Sequence, residues 1–85
     1  MSVLYVRRLN ELLPGQRGHV VAIEGNDHIS RRLMEMGLLE GELIEVLALA
    51  PLGDPMEIKI GSYRLSLRSS EAQRVSVCLN VADDH

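Results

Sequence analysis

A loop with two prolines and a glycine, Ala50–Pro55, separates two segments with the composition of β-strands, 42–49 and 56–60. Each proline holds φ near −65° and has no N–H to donate to a strand ladder. Gly53 can adopt a positive φ that a Cβ would disfavour. The sequence therefore predicts a stiff connection with Leu52 at its apolar tip. A stiff apolar tip is typical of a contact surface, although composition alone slightly favours an ordinary hairpin connection.

Other short runs of β-branched and alternating apolar residues occur along the chain, bounded by turn residues. Such runs predict short antiparallel strands. Gly61-Ser62 is a two-residue hairpin signal between two of them. The run at 42–49 is apolar at both alternating sets of positions, so both faces of this strand are apolar. This predicts a strand in the wall of the barrel that is also covered from outside. The predicted strands are 18–24, 42–49, 56–60, 63–67 and 75–79.

The apolar period changes once, over about 28–36, where it predicts a helix. Asp27 is a good N-cap residue, and Gly37 suits the left-handed position after a helix end. Single helical turns are predicted at 9–13 and, with a serine cap, at 69–72. The apolar stripe of the main helix falls at i, i+4 and i+7, which are Ile29, Leu33 and Met36.

These elements predict a mainly β fold, a small and strongly bent antiparallel barrel of five to six short strands with one short inserted helix. No repeat and no linker divides the 85 residues, so we predict a single domain over 1–85 with its core at about 9–78. The polar end, 80–85, is expected to fray. A chain this short is marginally stable, so weak self-association is compatible with it.

Composition argues against several functions. The net charge is −3 with no basic cluster, and the aromatic residues are two tyrosines, without Phe or Trp. Nucleic-acid binding needs clustered cations and stacking platforms, and binding of proline-rich peptides needs aromatic grooves. The sequence has no phosphate-binding glycine loop, and no candidate nucleophile has a base close to it in sequence. It therefore gives no indication of an enzyme.

The single cysteine, Cys78, excludes an intramolecular disulfide and reads as a small hydrophobe, since no histidine is near it in sequence. The start of the chain places its apolar residues before Arg7 and Arg8, the reverse of a signal peptide. No apolar run approaches the roughly 20 residues of a membrane span. We therefore expect a cytoplasmic protein that does not insert into the membrane.

A set of residues occurs at characteristic spacing from about Leu9 to Val77, together with the loop at 50–55. They are Leu9, Leu12, Pro14, Gly15, Gly18, Leu33, Met36-Gly37-Leu38, Gly41, Gly61, Leu65, Leu67-Arg68, Glu71-Ala72, Val75 and Val77. In these residues the chain resembles the FeoA family, ferrous iron transport protein A, and the loop at 50–55 is the most specific element of the resemblance. Glu40 stands where the family usually has proline, although Gly41 still allows the turn.

The resemblance implies an SH3-like barrel and a non-enzymatic accessory or regulatory role in ferrous iron uptake. The expected partner is the FeoB-type transporter, contacted on its cytosolic side, where it carries a GTP-binding domain. The alternative implied by the same resemblance is a free-standing, metal-responsive regulatory domain related to the C-terminal domain of iron-dependent repressors.

We predict that partner binding centres on the loop and its tip, supported by Leu39 and by Arg31 and Arg32 on the helix. Leu38 and Leu39 cannot both face inward in a tight turn. A more specific hypothesis is that Arg31 or Arg32 acts as an arginine finger on GTP bound to the partner. A solvated helix face is favoured over it by roughly ten to one, because an arginine finger needs a defined docked geometry. The predicted loop contacts are Pro51, Leu52, Gly53, Asp54 and Pro55.

Metal-binding signals are weak, so we expect no required cofactor. Carboxylates adjoin imidazoles at Asp27-His28 and at Asp83-Asp84-His85, a combination that binds ferrous iron or zinc. One subunit hardly supplies the four ligands of a structural zinc site. Surface histidines are the favoured reading. The alternative is an opportunistic divalent site at Asp27, His28 and His19, completed between subunits.

Overall fold

The computed structural model describes residues 2–82. Its strands are β1 (Ser2–Arg8), β2 (Arg17–Ile23), β3 (Leu43–Leu49), β4 (Met56–Ile60), β5 (Tyr63–Leu67) and β6 (Val75–Ala82). They form one six-stranded antiparallel sheet in the order β1-β6-β2-β3-β4-β5. A single-turn 3₁₀ helix, Leu9–Glu11, follows β1. Helix α1, His28–Glu35, joins β2 to β3, and helix α2, Ser69–Ala72, joins β5 to β6.

One face of this bent sheet forms an aliphatic core with α1. Alternate residues of β2, β3, β4 and β6 point inward, as the period of two requires. Leu33 is the apolar residue that α1 buries fully in this core. The predicted mainly β fold with one helix near 28–36 is confirmed. Other fully buried core residues are Leu9, Ile44, Val46, Ile58, Leu67, Val75 and Val77.

Strand β1 extends the sheet beyond the predicted strands. It pairs with β6 along its whole length, from Ser2 opposite Ala82 to Arg8 opposite Ser76. The expected frayed segment, 80–85, therefore differs from the structure over 80–82, because β1 supplies hydrogen-bond partners that a polar sequence does not reveal. Residues 83–85 lie outside the described residues.

Two local predictions were wrong. The first turn of α2 is capped by a carboxylate instead of a serine hydroxyl, since the Arg68 N–H donates to Glu71 Oε1 at 2.9 Å. The outer side of β3 is not fully covered: Leu43 remains 46% exposed, while Leu47 is half-buried. The cap is decided within the turn itself, three positions from Arg68, whereas the exposure of Leu43 depends on the packing of the sheet.

Helix α1 begins and ends as predicted. Asp27 Oδ1 accepts the Ser30 N–H at 3.1 Å, and Gly37 has φ +106° immediately after the last turn. Within residues 2–82, neither helix has the length and apolar composition that crossing a membrane requires.

Candidate functional site

The loop at 50–55 is closed by its own backbone. The Ala50 N–H donates to Pro55 O at 3.0 Å, and the Gly53 N–H donates to Ala50 O at 2.7 Å. Gly53 has φ +82°, and the Asp54–Pro55 peptide bond is cis. The backbone therefore has the restricted geometry that its prolines and glycine predict.

The loop is also anchored to the body of the protein. Asp54 Oδ1 accepts the Ser69 N–H at 2.9 Å, which attaches the loop to the start of α2. Leu52 remains 95% exposed at the tip and does not fold back onto the barrel. The molecule thus holds a leucine side chain in solvent on an anchored loop.

The two arginines predicted on α1 have different environments. Arg32 forms an ion pair with Glu71 of α2, whose side chain is only 11% exposed. Arg31 is exposed. Because Glu71 and Ser69 both belong to α2, this short helix connects α1 on one side with the 50–55 loop on the other.

Leu39 and its neighbour separate as predicted, since Leu38 is buried and Leu39 is 51% exposed. Leu39 lines a hollow of about 270 Å³ between α1 and β2, and the 50–55 loop is not among its lining residues. Val21 and Met34, both about 40% exposed, also line it and were missed from sequence. Val21 follows the buried Val20 and points outward by alternation, and the register shift between Val20 and Ala22 leaves Ala22 exposed as well.

Asp27 is occupied by intramolecular contacts. Besides capping α1, its Oδ1 accepts from Arg74 Nη1 at 2.8 Å. The Ser30 N–H, and then the Arg74 guanidinium, hold the pKa of Asp27 below its ordinary value. The carboxylate therefore acts as a helix cap and an ion-pair partner.

The three residues of the candidate metal site lie on different elements. His28 is exposed at the start of α1, and His19, also exposed, lies within β2 in register with Cys78 of β6. Sequence distance had concealed that these two residues are partners in neighbouring strands. Within residues 2–82, no group of three or more His, Cys, Asp or Glu side chains is arranged to hold a metal ion. His85 lies outside that range.

Comparison with known proteins bears on both the fold and the family. The family model of the FeoA domain matches residues 7–78. A fusion of Fe(2+) transport protein A with the Fe(2+) transporter FeoB, from Porphyromonas gingivalis, is 39% identical over 70 residues. That match covers 82% of this chain but only 8% of the fusion protein.

Two solved structures share the architecture. FeoA of Stenotrophomonas maltophilia complexed with zinc, described as a prokaryotic SH3 domain protein, is 38% identical with a TM-score of 0.72, covering 81% of this chain and 86% of that one. A manganese-dependent transcriptional repressor is 25% identical with a TM-score of 0.79, covering 87% of this chain and 41% of the repressor.

The fold is thus the SH3-like barrel that the resemblance implied, and the family model spans most of the chain. The chain belongs to the FeoA domain family.

Proposed function

We propose that this protein is a non-enzymatic accessory of ferrous iron uptake that works in the cytoplasm by contacting a FeoB-type transporter and its GTP-binding domain. The observation that carries the proposal is the 39% identical FeoA–FeoB fusion protein, in which one chain contains both parts. Covalent fusion gives two domains a high effective concentration for each other, which is useful where they act together.

The proposed docking element is the loop at 50–55, with Leu52 as its central contact. Two backbone hydrogen bonds and the Asp54 anchor restrict the loop before binding, so less conformational entropy is lost on docking. Burying a fully exposed leucine against an apolar partner surface contributes about 1.5–3 kcal/mol. Pro51 and Pro55 flank this contact and Leu39 adds apolar surface nearer the end of α1.

Arg31 and Arg32 are proposed to serve this contact differently. Arg31 is exposed and can steer an acidic partner surface, which affects specificity and association rate more than affinity. Arg32 is held by Glu71 and keeps α1 joined to α2, behind the loop. We therefore assign the electrostatic contact to Arg31 and a supporting role to Arg32.

The test is the affinity of Leu52→Asp for the isolated cytosolic domain of the transporter, measured by calorimetry. We expect binding to weaken about 10- to 100-fold, as loss of this apolar contact implies, with an unchanged melting temperature. Leu43→Asp, at a 46% exposed leucine of β3, is the control and should bind like the wild type.

Two further variants sharpen the experiment. Arg31→Ala should slow association without changing stability, whereas Arg32→Ala should lower the melting temperature because it removes the ion-pair partner of the largely buried Glu71 carboxylate. Retention of wild-type affinity by Leu52→Asp would contradict the assignment of the loop. Unfolding of that variant would show that Leu52 is a core residue.

The second candidate function is a free-standing, metal-responsive regulatory domain. The observation that favours it is the likeness to the manganese-dependent repressor. Binding to the transporter domain with and without added Mn²⁺ or Fe²⁺ distinguishes the two candidates. An accessory protein should bind equally in both conditions, whereas a metal-responsive domain should change its affinity when the ion is added.

A further inference from the structure

We propose that β1 is a self-association edge, and that two copies of this protein pair through antiparallel β1 strands about a two-fold axis centred on Tyr5. The occupant of this edge is a second copy of the same chain. This inference does not depend on the proposed function.

The sheet order places β1 and β5 at the two edges. An edge strand presents N–H and C=O groups on its outer side, and these groups can pair with a strand of another chain. Strand β1 has seven residues, Ser2–Arg8, which is long for an edge, and all of them pair with β6 on the inner side. The outer side of β1 therefore offers ladder positions up to Arg7, since the Arg8 N–H already donates to Glu11 Oε1 at 3.0 Å.

The two edge strands differ in length and in the positions of their charged side chains. Strand β5 has five residues, with Arg64 in its interior paired to Glu57 at 3.7 Å and with Arg68 directly after its end. Charged side chains at an edge discourage pairing with another chain. Strand β1 carries no charge before its last two residues, Arg7 and Arg8, and its sequence from Val3 to Val6 is apolar. Strand β1 is therefore the edge whose central residues carry no charge that would discourage pairing.

The charges of β1 also select the orientation. In an antiparallel pair centred on Tyr5, Arg8 lies opposite Ser2 of the second copy and Arg7 lies opposite Val3. A parallel, in-register pair would put Arg7 opposite Arg7, and like charges in facing positions destabilise a sheet. The antiparallel arrangement also closes after two copies.

Exposed apolar side chains on both faces of β1 support the same arrangement. Tyr5, 43% exposed, lies opposite Leu79 and shares a hollow of about 290 Å³ with Leu13, which is 61% exposed. Val6, on the other face and opposite Cys78, is 58% exposed. The paired strand of a second copy would cover Tyr5 and Val6 and bring the two Tyr5 rings together.

Sedimentation equilibrium of the full chain, over concentrations that reach the millimolar range, tests the association. We expect a monomer–dimer equilibrium in the wild type and a dissociation constant raised at least about tenfold in Tyr5→Lys, because the two new cations would face each other. Leu43→Lys, matched in exposure but placed on β3, should leave the equilibrium unchanged. Circular dichroism confirms that both variants keep the native fold.

Oxidative cross-linking in a Cys78→Ser background tests the register. Tyr5→Cys should form a disulfide-linked dimer with copper phenanthroline as oxidant, since facing strands lie about 4.8 Å apart. Arg7→Cys should not, because residues 7 of the two copies would be separated by about 13 Å along the strands. A wild type that stays monomeric at every concentration, equal cross-linking at both positions, or equal weakening by Leu43→Lys would overturn the proposal.

Discussion

At the scale of single residues, the end of α1 depends on the close approach of two groups. Tyr63 OH donates to Met36 O at 2.7 Å, which ties the helix end to β5. A Cβ on Gly37 would lie 2.2 Å from that hydroxyl oxygen. Gly37 is therefore required both for its positive φ and for the space that Tyr63 occupies.

We expect Gly37→Ala to destabilise the protein more than Gly41→Ala. Both glycines have positive φ, for which an alanine costs roughly 1–2 kcal/mol, but a Cβ on Gly41 meets no atom within 4 Å. Gly37→Ala should also disrupt the Tyr63 hydrogen bond, adding about 0.5–1.5 kcal/mol. Urea unfolding measures both variants, and Tyr63→Phe reports the hydrogen bond alone. Equal losses of unfolding free energy at the two glycines would show that the Tyr63 side chain moves away from the new Cβ without cost.

At the scale of elements, ion pairs hold the helices and the first strand in place. Asp27, at the start of α1, pairs with Arg74 just before β6, and Arg32 joins α1 to α2. Arg8, at the end of β1, pairs with Glu24 at 2.9 Å, and this hydrogen bond and charge lower the pKa of Glu24. The connections between strands are thus anchored by ion pairs between arginines and carboxylates.

These carboxylates make stability depend on pH in the acid range. The pKa of Asp27 is lowered in the folded state, so its contribution is present above its unfolded pKa of about 4 and is lost as the pH falls through the folded value. We expect Asp27→Asn to be less stable than the wild type at pH 7 and to lose less stability on acidification below about pH 4.

Urea midpoints measured across that pH range test this expectation. Arg74→Met keeps the helix cap but removes the ion pair, so its acid dependence should lie between those of the wild type and Asp27→Asn. Some dependence should persist in all three because Glu24 titrates as well. An Asp27→Asn variant with the full acid dependence of the wild type would contradict the role of Asp27.

At the scale of the whole molecule, the fold rests on an aliphatic core and on pairing between the first and last strands. The buried set contains leucine, isoleucine, valine, methionine and alanine, and the described residues include no cluster of three metal-binding side chains. Hydrophobic burial at about 25 cal/mol per Å² of apolar surface is therefore the main stabilising contribution.

We expect the protein to fold without a metal ion. Its melting temperature should be the same after dialysis against EDTA as before, since no group of metal-binding side chains joins the elements within residues 2–82. A second measurement adds Zn²⁺ to the metal-free protein. Binding at surface groups such as His28 and His19 should raise the melting temperature only slightly. A large decrease on chelation would demonstrate a structural metal site and refute the expectation.

The amino-acid sequence determined the features that depend on neighbouring residues. The helix bounds follow from Asp27 and Gly37, and the stiff loop follows from Pro51, Gly53 and Pro55, because backbone sterics and capping act within a few positions. Alternation predicted five of the six strands. The separation of Leu38 and Leu39 could also be predicted, because a tight turn cannot bury both.

The tertiary structure decided what depends on residues far apart in the chain. The strand order, the pairing of His19 with Cys78, and the register shift between Val20 and Ala22 required the complete sheet. The same holds for the different roles of Arg31 and Arg32, since Arg32 meets Glu71 across 39 positions and Asp27 meets Arg74 across 47. Local sterics cannot determine these long-range ion pairs, because the pairs depend on the packing of the whole chain around one core.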